Sequence, residues 1–300
     1  MSDKFTLGLL GYPLEHSFSP IIHSSALDAL ELNGEYRLYP VRPLPEGESD
    51  LESLIQRLRS NEIKGINVTI PHKQSVLPLL DEVSPDARAI GAVNTILFRG
   101  GKLVGENTDA SGFLYDLDRN AHSHFGRLAQ SGDKKSPMGT VLVLGAGGAS
   151  RAVAYALSKA GWRVIIAARR IVQALSVEET LKKSISGSQF ISISLDHQSV
   201  LDIQETDYLI VNATSVGMQP RIDENPWPDE LSLPAGSYVY DLVYNPPMTA
   251  LMKQAQQEGI PFSGGIGMLV EQAALAFELW TARKAPRDVM HNSVTQIFQE

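Results

Sequence analysis

Two serines lie where the sequence could bind a small polar ligand. Ser17 and Ser19 follow an apolar run, Thr6–Leu10, that predicts a β-strand. Pro20 comes next and suits the first turn of a helix, because its missing N–H is not needed there. Two hydroxyls at a strand-to-helix junction can bind such a ligand. The alternative is that Ser19 only caps the helix by accepting a backbone N–H.

A lysine and a carboxylate that could move a proton occur farther along the chain. Lys73 follows a strand predicted at Gly65–Ile70. Ligands of open α/β sheets bind at the carboxyl ends of parallel strands. A lysine there is by itself most often a solvated surface residue, but Asn67 and Thr69 alternate with apolar residues on the same strand end and favour a functional role. Two further polar clusters contain Asn94 and Asp109. Asp109 could instead only cap a helix that begins near Ala110.

A glycine-rich turn lies between a strand predicted at Thr140–Leu144 and a helix predicted at Ser150–Lys159. Glycines let the backbone approach a phosphate, and the helix N-terminus supplies free N–H groups and the positive end of its dipole. Because both flanking elements are present, the turn indicates a dinucleotide site. Ser150 replaces the usual third glycine and is small enough to be compatible. The residues of the turn are Gly145, Ala146, Gly147, Gly148 and Ala149.

The end of the next strand indicates which dinucleotide binds. The strand predicted at Val164–Ala168 is followed by Arg169 and Arg170, where an NAD site usually has an acidic residue for the ribose hydroxyl. A carboxylate would repel a 2′-phosphate, whereas a guanidinium pairs with it through charge-assisted hydrogen bonds. The pattern predicts NADP. The alternative is that both arginines are solvated surface charges.

Alternating strand and helix signals surround these residues and predict an α/β fold with a mostly parallel sheet in the N-terminal part. Residues 120–138 are polar and predict a frayed helix end and a linker into a second domain. The chain from Gly267 onward is predicted to be helical. The other predicted elements are helices at Pro20–Leu32 and Asp50–Arg59, strands at Tyr36–Val41, Tyr208–Val211 and Tyr238–Asp241, and a hairpin of Ala92–Phe98 and Lys102–Val104 around Arg99-Gly100-Gly101.

The composition indicates a globular protein of two domains. Its 300 residues are more than one typical domain needs. A net charge of −8 opposes non-specific binding to nucleic acid or to an anionic membrane. The absence of cysteine excludes a disulfide-built fold and a thiolate nucleophile. Neither a secretory leader nor a membrane-spanning apolar run stands out, so we expect a cytoplasmic protein. The sequence leaves the choice between a monomer and a homodimer open.

Together, these motifs and their order resemble the shikimate dehydrogenase family. The resemblance extends from Gly11 to Trp280 and includes five or more separate motifs. It implies an α/β substrate domain at residues 1–112 plus 267–300, and a Rossmann NADP-binding domain at residues 113–266. The implied reaction is the reversible NADPH-dependent reduction of 3-dehydroshikimate to shikimate, on the route to chorismate and the aromatic amino acids.

The resemblance also implies roles for individual residues. Ser17 and Ser19 would bind the substrate carboxylate, with help from Tyr244. Lys73 and Asp109 would form the catalytic pair and also contact the substrate. The ring hydroxyls would be bound by Thr69, Asn94 and Gln272. The pyrophosphate of the cofactor would bind to Gly145, Ala146, Gly147, Gly148 and Ala149. Its 2′-phosphate would bind to Arg169, beside Ala168 and Arg170. Its nicotinamide side would contact Thr214, Met218, Leu242 and Gly265.

Lys73 has two possible roles in such a reaction. It could exchange a proton with the reacting oxygen, or it could act as a fixed positive charge. Enclosure of an ammonium disfavours its charged form, while a nearby carboxylate such as Asp109 favours it, so the sequence leaves the choice open. His16, His23 and His72 lie on different predicted elements, and we expect no metal site.

Three alternatives to the main hypothesis differ in chemistry. They are a quinate/shikimate dehydrogenase of relaxed specificity that takes NAD, a non-catalytic shikimate-binding regulator, and an unrelated Rossmann reductase. The two serines and Arg169 favour shikimate and NADP. A regulator is expected to have lost Lys73 or Asp109, and both are present. An unrelated reductase leaves the Ser17 and Ser19 motif unexplained.

Overall fold

The computed structural model describes residues 4–126, 139–203 and 208–298. The chain divides into two compact units. The first consists of Met1–Asp109 and Val270–Glu300, and the second is the continuous stretch Ala110–Leu269. Each unit contains a sheet covered by helices, which confirms the predicted α/β class.

Strands and helices alternate in the N-terminal part of the first unit. A 3₁₀ turn lies at Leu77–Leu79. In chain order the elements are β1 (Phe5–Gly11), α1 (Ser19–Ala29), β2 (Gly34–Pro40), α2 (Glu48–Arg59), β3 (Gly65–Val68), β4 (Glu82–Val83), α3 (Pro85–Ile90), β5 (Thr95–Arg99), β6 (Lys102–Glu106) and α4 (Asp109–Phe125), whose first residue ends this part of the unit.

The sheet of the first unit has the strand order β2-β1-β3-β5-β6-β4. Strand β1 pairs in parallel with β2 and β3, and β4 pairs in parallel with β6. The other two pairings, β3 with β5 and β5 with β6, are antiparallel. The predicted hairpin is present, and its turn has positive φ at Gly100 and Gly101, as a type I′ turn requires.

Several boundaries in the first unit differ from the prediction. Helix α1 ends at Ala29 rather than Leu32, because Glu31 takes a positive φ and the N–H of Leu32 turns back to the carbonyl of Leu27. Strand β5 begins at Thr95 rather than at residue 92. The preceding residues form a loop because the new helix α3 ends at residue 90.

One apolar core of the first unit lies between its sheet and helix α2. Side chains of that helix pack against apolar side chains of β1, β3 and β5. On a second helix, α9 (Ile266–Thr281), Trp280 donates its indole N–H to the carbonyl of Ile96 at 3.1 Å. A Cβ on Gly65 would lie 2.2 Å from that indole ring, so only glycine lets the helix pack so closely on β3.

All strand pairs of the sheet in the second unit are parallel. Its helix α5 begins at Gly148, two residues before the predicted start at Ser150. Of the stretch 120–138, predicted to be a frayed helix end and a linker, residues 120–125 belong to α4, and residues 127–138 lie outside the described residues. After α4 the elements are β7 (Thr140–Leu144), α5 (Gly148–Lys159), β8 (Arg163–Ala168), α6 (Ile171–Ser184), β9 (Phe190–Ser194), α7 (His197–Asp202), β10 (Tyr208–Asn212), β11 (Tyr238–Asp241), α8 (Ala250–Gln257), β12 (Phe262–Gly264) and the start of α9; α10 (Arg287–Thr295) and a 3₁₀ turn (Gln296–Phe298) follow in the first unit.

The strand order of this second sheet is β12-β11-β10-β7-β8-β9. The chain moves outward from β7 in one direction and then from β10 in the other. This doubly wound order is that of dinucleotide-binding domains, in which the ligand binds where the order reverses. The reversal lies between β7 and β10, whose carboxyl ends therefore form the expected binding edge.

A buried histidine distinguishes the core of the first unit. His23 on α1 stacks on the ring of Tyr36, with centroids 4.4 Å apart and ring planes 5° apart. Burial, offset only in part by the side chain of Asn67, lowers the pKa of His23 to about 3. Between that value and the ordinary 6.5, the unfolded chain binds a proton that the folded chain does not. Stability must therefore fall as the pH falls through this window.

We expect the substitution His23→Phe to reduce this acid sensitivity. Each pH unit within the window is worth about 1.4 kcal/mol, so acidification from about pH 6.5 to pH 5 should lower the free energy of unfolding by about 2 kcal/mol more in the unchanged protein than in the variant. Urea unfolding at a series of pH values measures this difference. The exposed residue His122 provides the control His122→Gln. Equal pH slopes with His23 present and absent would contradict the inference.

Candidate active site

The chain segments that carry the predicted substrate residues leave the first sheet side by side. The N–H of Thr69 donates to the carbonyl of Leu10 at 2.8 Å, and the N–H of Tyr12 donates to the carbonyl of Ile70 at 2.9 Å. The segment after β1, which carries the two serines, therefore runs beside the segment that leads from β3 to Lys73. Gly11 permits this approach, because a Cβ there would meet the side chain of Thr69.

The two serines occupy different positions at the start of α1. Ser19 is buried and is the first residue of the helix, whereas the cap position belongs to Phe18, which makes no side-chain cap. The hydroxyl of Ser17 accepts the N–H of Ser19 at 3.3 Å. The interpretation of Ser19 as a helix cap is therefore wrong.

Lys73 and Asp109 form a mostly buried ion pair. The Lys73 Nζ lies 2.5 Å from Asp109 Oδ2, and the two side chains are only 15% and 6% exposed. Asp109 is the first residue of α4, where the helix dipole favours a negative charge. Two contacts also hold the backbone around Lys73. Val93 donates its N–H to the Lys73 carbonyl at 2.8 Å. The buried ring of His72 contacts the Val41 carbonyl through Nε2 at 2.8 Å.

Asn94 joins the remaining predicted residues of this unit. Its Nδ2 lies 2.8 Å from Asp109 Oδ1, 2.9 Å from Thr108 Oγ1 and 3.4 Å from Gln272 Oε1. Its Oδ1 accepts the N–H of Thr108 at 2.7 Å. The amide thus brings Gln272, which comes from α9, to the same place as the lysine–aspartate pair.

Asn67 is a further polar residue of this site, for which sequence reasoning predicts no role of its own. It is buried on β3 and accepts the hydroxyl of Tyr36 at 2.9 Å. Its Nδ2 donates to Thr95 Oγ1 at 3.2 Å and to the carbonyl of Asn94 at 3.3 Å. The sequence signal is an amide in an otherwise apolar buried strand, Gly-Ile-Asn-Val, but it does not reveal these partners.

In the second unit, the glycine turn lies at the reversal of strand order. Gly145 has a φ of +110°, and its N–H donates to the carbonyl of Ala167 at 2.7 Å. A Cβ on Gly145 would lie 3.0 Å from the side chain of Thr214, which follows β10. Around the Cβ position of Gly147, at the start of α5, no atom of the described residues lies within 4 Å. The turn therefore presents an open backbone surface, as a pyrophosphate site requires.

The arginines lie at the end of the neighbouring strand β8. Ala168 is buried and is the last residue of that strand, and Arg169 and Arg170 follow it with exposed side chains. No acidic residue occurs in β8 or at these two positions. Exposed guanidinium groups at this edge fit a cofactor with a 2′-phosphate.

The residues predicted for the nicotinamide side follow β10, β11 and β12. Leu242 donates its N–H to the carbonyl of Asn212 at 3.0 Å. A Cβ on Gly265 would lie 2.1 Å from the Leu242 carbonyl, so glycine is required for this close approach. Met218 ends a turn in which its N–H donates to the carbonyl of Ser215. Tyr244 also lies in this second unit, after β11, whereas the other predicted substrate residues lie in the first.

The three histidines considered above as metal ligands lie in different surroundings. His16 is exposed, His23 is buried on α1, and His72 contacts a backbone carbonyl. Across residues 4–126, 139–203 and 208–298, no group of three or more His, Cys, Asp or Glu side chains could hold a metal ion. No helix in the same ranges is long and apolar enough to cross a membrane.

Comparison with known proteins identifies the family. A model of the shikimate dehydrogenase substrate binding domain matches residues 9–96, and a model of the shikimate 5′-dehydrogenase C-terminal domain matches residues 265–295. A relative from Salinibacter ruber, named shikimate dehydrogenase (NADP(+)), is 43% identical over 289 residues, which is 95% of each chain. The chain belongs to the shikimate dehydrogenase family.

Solved structures of shikimate dehydrogenases are similar over nearly the whole chain. One, crystallised in complex with NADP+, has a TM-score of 0.84 and 35% identity, and covers 100% of this chain and 98% of its own. Another, from Thermus thermophilus in complex with NADP(H) and shikimate, has a TM-score of 0.79 and 36% identity, and covers 97% and 99%. The predicted fold, a substrate domain plus a Rossmann domain, is confirmed.

The open surface at Gly147 leads to a test of the turn as a phosphate site. The substitution Gly147→Ala introduces a Cβ into free space at a φ of −86°, which alanine tolerates, so the free energy of unfolding should fall by less than about 1 kcal/mol. Affinity for NADP+ should fall at least about tenfold, because the methyl group occupies the path of the pyrophosphate. Urea unfolding and calorimetric titration with NADP+ measure the two effects. Unchanged affinity would contradict the assignment.

Proposed function

We propose that this protein is an NADP-dependent shikimate dehydrogenase that catalyses the reversible reduction of 3-dehydroshikimate to shikimate. The observation that carries the proposal is the mostly buried Lys73–Asp109 pair, which Asn94 connects to Gln272 at one edge of the first sheet. Lysine, carboxylate, amides and hydroxyls at one edge suit a small polyhydroxylated ring acid. Family membership with 43% identity supports the same substrate.

In this proposal the first unit binds the substrate. Ser17 and Ser19 bind its carboxylate, and Tyr244 of the second unit contributes to the same interaction. Thr69, Asn94 and Gln272 bind the ring hydroxyls. The polar network of the site supports this, because hydrogen bonds with Thr108 and Asp109 hold the Asn94 amide in place next to Gln272.

The second unit binds NADP, which supplies the hydride when bound. The residues present fit that cofactor, since the turn from Gly145 to Ala149 is open and Arg169, beside Ala168 and Arg170, is exposed where an NAD site would have a carboxylate. Thr214, Met218, Leu242 and Gly265 line the nicotinamide side. An enzyme with this specificity belongs to aromatic amino acid biosynthesis, and we place it in the cytoplasm.

Lys73 moves the proton in this reaction. During reduction its Nζ donates a proton to the oxygen of the carbonyl group as that oxygen becomes a hydroxyl; during oxidation the same nitrogen accepts it. Asp109 Oδ2 holds the ammonium in place, and Asp109 Oδ1 is held in turn by the Asn94 amide. Positioned proton transfer of this kind is typically worth about 10²- to 10⁴-fold in rate.

The decisive test compares four combinations of substrate and cofactor. We expect the initial rate with shikimate and NADP+ to exceed the rates with quinate or NAD+ by at least about a hundredfold, because the hydroxyls of Ser17 and Ser19 favour shikimate and the guanidinium of Arg169 favours the 2′-phosphate. The absorbance of the reduced cofactor measures all four rates. Comparable rates in all four would instead indicate a quinate/shikimate dehydrogenase of relaxed specificity. Absence of any rate, with shikimate still bound, would indicate a regulator.

Substitution of the catalytic pair should lower kcat more than it changes KM. We expect Lys73→Ala to reduce kcat by about 10²-fold or more and Asp109→Asn to cause a similar loss, since each removes a group that positions or transfers the proton. Steady-state kinetics with shikimate and NADP+ measure the effect. Lys102→Ala, at an exposed lysine that also pairs with a carboxylate, is the matched control.

Two results would change these assignments. An increase in KM alone for Lys73→Ala would assign the lysine to binding. A retained kcat for Asp109→Asn would leave the carboxylate with no more than a role at the start of α4.

A further inference from the structure

A buried carboxylate lies at the end of β11, and the proposed reaction gives it no role. The side chain of Asp241 is fully buried and accepts three hydrogen bonds. Its Oδ1 accepts the Nδ2 of Asn212 at 2.8 Å and the N–H of Val243 at 2.9 Å, and its Oδ2 accepts the hydroxyl of Thr249 at 2.7 Å. Burial of a carboxylate is costly unless hydrogen bonds compensate for the lost water, and the three donors are held in place by these bonds in turn.

Asn212, which lies opposite Asp241 on β10, forms hydrogen bonds with the loop that follows this strand. Its Oδ1 accepts both the N–H of Thr214 at 3.0 Å and the Thr214 hydroxyl at 2.7 Å. The Thr214 Oγ1 accepts the N–H of Val216 at 3.0 Å, and Asn212 Nδ2 also donates to the carbonyl of Val216 at 3.3 Å. The first turn of the loop is therefore folded around one amide side chain.

The orientation of that amide follows from the chemistry of its neighbours. A carboxylate only accepts hydrogen bonds, and a backbone N–H only donates them. The Asn212 amide must therefore turn its nitrogen toward Asp241 and its oxygen toward Thr214. A neutral amide at position 241 would still accept the N–H groups of Asn212 and Val243, but more weakly than the carboxylate does, and would hold the Asn212 side chain less firmly.

Both loops on the predicted nicotinamide side depend on this pair. Leu242 donates its N–H to the Asn212 carbonyl, and the next residue, Val243, donates its N–H to Asp241. We propose that Asp241 is a positioning residue that fixes the Asn212 amide and, through it, the Thr214 and Leu242 loops that contact the nicotinamide. This inference rests on the proposed function, because it concerns the NADP site of that enzyme.

The variant Asp241→Asn tests the inference with a side chain of the same shape. We expect kcat with shikimate and NADP+ to fall at least about tenfold and KM for NADP+ to rise, because small displacements of positioning groups are costly in rate. Affinity for 2′,5′-ADP, which has the adenosine phosphates but no nicotinamide, should stay within about twofold of the unchanged protein. Calorimetric titration with 2′,5′-ADP measures this without any turnover.

A control variant lowers the stability of the same unit without touching Asp241. Val177 is fully buried on α6, a helix that packs against β8 and β9, and Val177→Ala removes two methyl groups there. We expect a lower melting temperature with kcat and KM for NADP+ within about twofold of the unchanged protein.

Two outcomes would overturn the inference while leaving the proposed function intact. In the first, Asp241→Asn keeps its kcat and its KM for NADP+. In the second, Asp241→Asn loses affinity for 2′,5′-ADP in step with its activity, which would make Asp241 a support for the whole unit. The unchanged protein is assayed in parallel. Its failure to oxidise shikimate with NADP+ would overturn the proposed function instead.

Discussion

The site of the first unit depends on the hydrogen bonds of one amide, Asn94. Its nitrogen faces Asp109 Oδ1 and its oxygen accepts the N–H of Thr108, so the carboxylate is oriented before any ligand arrives. Only then does Asp109 Oδ2 point at the Lys73 ammonium, 2.5 Å away. The three groups lie on chain segments at the same edge of one sheet: Lys73 follows β3, Asn94 precedes β5 and Asp109 follows β6. Because the pair is mostly buried, loss of any member would leave a charged or polar group without its partner.

The second unit uses the same device for a different purpose. Asn212 there bonds to Asp241 as Asn94 bonds to Asp109, with an amide nitrogen on one carboxylate oxygen at 2.8 Å in both. The difference lies in the other oxygen. In Asp109 it contacts the ammonium of Lys73, the residue proposed to transfer the proton, whereas in Asp241 it accepts the hydroxyl of Thr249 and is buried. Burial without a cation raises the pKa of Asp241 to about 6. The two proposals thus give Asp109 a role in proton transfer and Asp241 a role in positioning its neighbours.

Sequence reasoning succeeded where the signal is local. Consecutive residues predict the glycine turn, the hairpin at Gly100 and the buried strand before Gly145, and the structure contains all three. Sequence reasoning could not predict contacts between residues that lie far apart in the chain. Asn67 stands out in its strand, but its partners follow only from the sheet order: Thr95 lies on the neighbouring strand β5, and Tyr36 reaches Asn67 from β2, on the other side of β1. Asp241 is one acidic residue among many until the parallel pairing of β11 with β10 puts it opposite Asn212.

Ser150 shows how a departure from a motif becomes part of the site. The third glycine of a dinucleotide turn allows close packing of helix on strand, and a serine there is expected only to be tolerated. In the structure its side chain is fully buried, and its hydroxyl donates to the carbonyl of Gly145 at 2.6 Å. That bond ties the first turn of α5 to the residue with a φ of +110°, which L side chains rarely adopt. The serine therefore stabilises the same backbone that leaves the surface at Gly147 open, and the turn gains rigidity without losing its space for a phosphate.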